Sequence, residues 1–156
     1  MEKDRLLDAS CKALALTLLA LVLMSCSLPK IITLKDPLTP EEHINLGLSY
    51  EQKGEYGPAL EHYEEASGKL PIAYLYIGNL HFQRNEFEKA ESAYKKAVKK
   101  TNDPQAYNNL AWLYLTIGTN LDKARVLAEK AVSLAPDSED FRDTLQRIDE
   151  KVGHSP

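Results

Sequence analysis

Residues 43–71 read HINLGLSYEQKGEYGPALEHYEEASGKLP, and the spacing of their small and large side chains decides the fold. Apolar residues recur at the i, i+3, i+4 and i+7 positions of two amphipathic helices. The two are separated at Gly54, a residue type that tolerates the left-handed conformation helix C-termini commonly need. Gly47 in the first helix and Ala59 and Ala66 in the second are small, which lets two helix axes cross closely. Pro71 closes the unit.

The chain then repeats this unit twice. His43-x-x-Leu46-Gly47-x-x-Tyr50 returns as Tyr74-x-x-Ile77-Gly78-x-x-His81 and again as Tyr107-x-x-Leu110-Ala111-x-x-Tyr114. The second-helix alanines return as Ala90 and Ala97, then as Ala124 and Ala131, while Asn85 and Gly118 take the place of Gly54. The third copy ends on Pro136 and has one extra residue in its turn. The step is 31 residues from Gly47 to Gly78 and 33 from Gly78 to Ala111. In order and spacing the pattern resembles the tetratricopeptide repeat, whose period is about 34 residues.

The resemblance implies an all-α fold, a right-handed α-solenoid of three helix-turn-helix repeats at about 40–71, 72–103 and 104–137. First helices are expected near 40–53, 72–84 and 104–117, and second helices near 56–69, 87–100 and 121–135. A terminal repeat exposes an apolar face unless something covers it. Residues 138–156 supply a capping helix and tail: Ser138 is a candidate N-cap, and Phe141, Leu145, Ile148 and Val152 form one apolar stripe on an otherwise charged helix.

In the resembled family the first helices line a groove that takes a peptide or a partner helix. The positions expected to face it here are Ile44, Leu48, Leu75, Asn79, Phe82, Gln83, Asn108, Trp112 and Leu115. Members that clamp a C-terminal carboxylate use Lys and Arg on this face, and those positions lack them here. The expected partner is therefore a protein carrying an apolar or amphipathic segment.

Ahead of the repeats, residues 13–24 form an apolar run of twelve, too short for the roughly 20 residues that span a bilayer but within the core length of a signal peptide. Leu23-Met24-Ser25-Cys26 resembles the lipobox of bacterial lipoproteins. That resemblance implies a signal peptide over residues 1–25, lipidation at Cys26 and a linker to residue 39. It implies attachment to a bacterial envelope through the lipid, with Ser27 after the cysteine pointing to the outer membrane, facing the periplasm. An alternative is an uncleaved N-terminal helix holding the repeats at the inner membrane. The stretch 28–34, LPKIITL, carries four large aliphatics and is a competing occupant of the groove.

Composition narrows the chemistry. Nineteen Lys+Arg against 23 Asp+Glu give a net charge of -4, so no basic excess favours nucleic acid. Two cysteines in 156 residues cannot build a disulfide framework or a four-thiolate zinc site. The chain shows no phosphate-binding glycine loop, H-E-x-x-H helix, calcium loop or nucleophile elbow. His43 and His81 occupy aromatic slots of the repeats, His154 lies in the tail, and His62 with Glu61 or Glu65 offers too few ligands for a metal. No catalytic residue, metal or cofactor is expected, and the chain reads as a monomeric protein-binding scaffold, pilotin-like or similar, in assembly or maintenance of an envelope complex. An enzyme or metal-binding protein is the remaining alternative.

Overall fold

The computed structural model of the chain describes residues 36–153. Cys26, the apolar run 13–24, the stretch 28–34 and His154 lie outside the described residues. Among the described residues there are seven helices and no strand: α1 Pro40–Gln52, α2 Tyr56–Ser67, α3 Ala73–Gln83, α4 Phe87–Lys100, α5 Pro104–Ile117, α6 Leu121–Leu134 and α7 Glu139–Gly153. They pack as successive pairs α1·α2, α3·α4 and α5·α6, with α7 against α6 and α5.

The ends of these helices follow from local chemistry. α1 starts at a reciprocal capping box: Glu42 N–H donates to the Thr39 hydroxyl at 3.2 Å, and Thr39 N–H donates to the Glu42 carboxylate at 2.7 Å. Pro40 and Pro104 occupy first-turn positions where no amide hydrogen is needed. Asp103 caps α5 by accepting from Gln105 N–H at 2.7 Å. Just past α1, α3 and α5, Gly54, Asn85 and Gly118 have φ of 76°, 58° and 70°. A Cβ on Gly54 or Gly118 would meet nothing within 4 Å, so backbone conformation selects glycine there, not space. The longer third turn adds a second left-handed residue, Asn120, at φ 52°. α2 stops two residues short of expectation, at Ser67, because Gly68 and Pro71 do not favour continuing it.

Inside each of the first two pairs, a glycine on the first helix faces a tyrosine on the second. A Cβ on Gly47 would sit 2.3 Å from the Tyr63 ring, and one on Gly78 would sit 2.4 Å from the Tyr94 ring. In the third pair Ala111 and Ala128 are both fully buried. A large ring thus lies against a glycine in the first two pairs, whereas the third pair has two small buried alanines in one cluster. Leu80 and Leu113 are completely buried as well, each stabilising the fold by roughly 1.5–3 kcal/mol.

α7 closes the array as its sequence pattern predicts. Phe141 and Ile148 are buried, and Ile148 joins the cluster that holds Leu110, Tyr114, Ala124 and Ala128. Leu145 and Val152 pack half-buried against the same cluster. At its start, Phe141 N–H approaches the Ser138 hydroxyl at 3.4 Å, a long capping contact.

Candidate functional site: a first-helix groove

A cavity of about 320 Å³ runs along α1, α3 and α5. Its walls are Leu48 and Glu51 from α1, Tyr76, Asn79, Phe82 and Gln83 from α3, and Asn109 and Trp112 from α5, with Tyr94 of α4 entering from behind. The apolar part is three aromatic rings, Tyr76, Phe82 and Trp112. The polar part is a wired set of amides and one carboxylate.

That wiring depends on the core. Tyr63 and Tyr94 lie across their glycines, and their hydroxyls emerge on the groove side. The Tyr63 hydroxyl donates to one Glu51 oxygen at 2.7 Å while the Gln83 amide donates to the other at 2.7 Å, which ties the first repeat to the second. The Tyr94 hydroxyl donates to Asn79 Oδ1 at 2.9 Å, and the Asn109 amide donates to the same oxygen at 2.7 Å, tying the second repeat to the third. Gln105 in turn donates to Asn109 Oδ1 at 2.7 Å. Burial first, then the bond to Glu51, raises the Tyr63 hydroxyl above the usual phenol range, and burial raises that of Tyr94. Both remain donors at neutral pH. Asn79 accepts both of its bonds through oxygen, and its NH2 group retains donor capacity.

Of the residues the sequence placed on this face, Leu48, Asn79, Phe82, Gln83 and Trp112 line the cavity. Ile44, Leu75 and Asn108, each 7% exposed, lie in the core instead. These three share one repeat offset, and the next residue along, about 100° further around the helix, is the one that reaches the groove in α3 and α5: Tyr76 for Leu75, Asn109 for Asn108. Leu115 packs half-buried against the core cluster and does not line the cavity. Glu51, Tyr76, Tyr94 and Asn109 are lining residues that the sequence reading missed. Glu51 could have been found by register, since it lies one repeat step of 31 before Phe82.

Arg147 of α7 lies over Trp112, its guanidinium carbon 5.7 Å from the centre of the ring. Its charge is matched by Asp143 at 2.7 Å.

Among the described residues, His43, His62 and His81 each have close side-chain neighbours. His43 is 5% exposed, its Nδ1 lies 3.0 Å from His62 Nδ1, and the His62 ring stacks on Tyr50. His81 is 7% exposed and contacts the Glu86 carboxylate at 2.8 Å. Among the described residues no group of three or more His, Cys, Asp or Glu side chains is placed to hold a metal ion. No described helix is long and apolar enough to cross a membrane.

A family model described as a tetratricopeptide repeat matches residues 44–106 and again residues 75–139. The chain belongs to the tetratricopeptide repeat family. No curated protein matches it. Among solved structures it is similar to the first repeat domain of Spaghetti (RPAP3) bound to the HSP90 peptide SRMEEVD, with 20% identity and TM-score 0.67 over 76% of this chain and 96% of that one. It is also similar to the second repeat domain of human RPAP3 in complex with the HSP70 peptide SGPTIEEVD, with 18% identity and TM-score 0.61 over 70% and 98%. A tetratricopeptide repeat protein from Parabacteroides merdae matches with 20% identity and TM-score 0.65, over 76% of this chain and 47% of that one. At these identities the likeness establishes the shared fold.

Proposed function

We propose that this chain is a non-catalytic adaptor that holds a segment of a partner protein in the groove along α1, α3 and α5. The observation that carries the reading is the groove itself: three aromatic rings and a row of oriented amides on one face, spanning all three repeats. Aromatics bury apolar side chains while amides meet a ligand's backbone, the usual division of labour in peptide recognition. Two structures of the same fold carry bound peptides by their own description, which supports a peptide-binding use of the fold. Those peptides end in Glu-Glu-Val-Asp, and the groove here has no Lys or Arg in its lining, so their ligand chemistry is not carried over.

The sequence before the repeats supports a location. An apolar run of signal-peptide length ending in Leu23-Met24-Ser25-Cys26 fits a lipid anchor on Cys26. A single acyl chain binds a membrane only marginally, whereas two or three hold stably. On this reading the adaptor works at a bacterial envelope, by preference the outer membrane, in assembling or maintaining a larger complex.

In-cell photocrosslinking tests the binding face. A photoreactive residue at Leu48 or Gln83 should trap a discrete partner, and one at Val126, outside the groove, should not. Adducts at Val126 alone would overturn the reading. For the anchor, a palmitate analogue should label the wild type and not Cys26→Ala; equal labelling would remove it.

A further inference from the structure

Within the groove the charge is one-sided. Glu51 is the one ionisable carboxylate or ammonium-type group among the lining residues, and it stands beside the aromatic walls of Tyr76 and Phe82. Its two oxygens each accept one bond, from Tyr63 and from Gln83, which fixes the carboxylate's orientation and leaves each oxygen a further lone pair. A carboxylate that shares a cavity with aromatic rings suits an organic cation, because ring quadrupole and carboxylate attract the same charge. A smaller instance stands next to the groove, where the Arg147 guanidinium lies over the Trp112 ring with Asp143 as its counter-ion. Arg147 brings its own neutralising partner, so it leaves Glu51 unopposed.

We propose that the groove selects a partner segment carrying one Lys or Arg within an apolar stretch, the cation meeting Glu51 and the aliphatic stem lying on Tyr76 and Phe82. The inference rests on the groove being the binding surface, and adds which segments it accepts. An acidic C-terminus is disfavoured there by like charge.

The test is to pan a random dodecapeptide phage library on the full-length chain in detergent. Selected peptides should carry a single Lys or Arg among apolar residues and bind about tenfold tighter than the same peptides with Glu in that place. In Glu51→Gln, with an unchanged far-ultraviolet circular dichroism spectrum, the difference should vanish; in Glu51→Lys it should reverse. A pool rich in Asp and Glu, or a basic preference that survives Glu51→Gln, would overturn the proposal while leaving the groove reading intact. Enrichment that appears only after residues 28–34, which carry Lys30 among aliphatics, are replaced by Gly and Ser would make that segment the occupant and overturn the assignment to a partner. Peptides recovered equally well by a folded Phe82→Ala, Trp112→Ala variant would instead remove the groove reading itself.

Discussion

Gly78 and Tyr94 form one structural unit: the ring of Tyr94 lies where a Cβ on Gly78 would fall, 2.4 Å from the nearest ring atom, and its hydroxyl passes through to Asn79 in the groove. The close helix crossing and the orientation of a groove amide thus have one cause. Gly78→Ala should destabilise the protein by about 1–3 kcal/mol through overpacking, even though alanine is the better helix former. Adding Tyr94→Ala removes the ring and leaves alanine on both helices, as the third repeat has at Ala111 and Ala128. On that background Gly78→Ala should be neutral or stabilising, and a double-mutant cycle by urea unfolding reads the coupling.

Ile148 and Val126 separate cap from surface. Ile148 is fully buried between α7 and the third repeat, whereas Val126 is 64% exposed. Ile148→Ala should cost about 2–5 kcal/mol, and Val126→Ala less than about 0.5 kcal/mol. Thermal unfolding of the two variants side by side checks the order, and a reversal would displace α7 from its capping role.

Much of this was legible in the sequence, and the limits were physical. Gly47, Gly78, Gly54, Asn85 and Gly118 signalled themselves because crossings and left-handed turns admit few residue types. The apolar stripe of α7 did so through its period. What the pattern could not settle was the rotation of each first helix to within one residue: Leu75 and Tyr76, or Asn108 and Asn109, are adjacent, and both members of each pair suit a half-buried face. In the structure Leu75 and Asn108 turn into the core while Tyr76 and Asn109 line the cavity. Glu51 escaped notice because a charged residue at a helix end reads as solvated, and only the tertiary bonds from Tyr63 and Gln83 mark it.

Asn108 tests that rotation directly. Its Oδ1 is buried and has no hydrogen-bond partner among the described residues. Replacing it by leucine, the residue at the same offset in α3, should stabilise the protein by about 1 kcal/mol or leave it unchanged, and should leave ligand affinity unaltered. Reduced ligand affinity in a stable Asn108→Leu protein would place this position in the groove after all.

A pH dependence follows from Glu91. Its carboxylate is held below the usual glutamate range, first by Lys95 and then by the Tyr114 hydroxyl, with contacts of 2.7 Å to each. A depressed folded-state value means the stabilisation is complete above glutamate's ordinary value and is lost as pH falls through the lowered one. Glu91→Gln should therefore lose stability at neutral pH and show a shallower acid limb than wild type, measured by chemical unfolding between pH 7 and pH 3. Parallel acid limbs would deny Glu91 this role.

Trp112 is the chain's single tryptophan and stands in the groove wall, so its fluorescence responds to occupancy of that face. The direct measurement is a titration of the full-length chain with a library-selected, fluorophore-labelled peptide, following peptide anisotropy and Trp112 emission together. A peptide seated between Phe82 and Trp112 should shift the emission saturably, at the same midpoint as the anisotropy, and Phe82→Ala should weaken both. Saturable binding that leaves Trp112 emission unchanged and is indifferent to Phe82→Ala would contradict the groove as the binding surface.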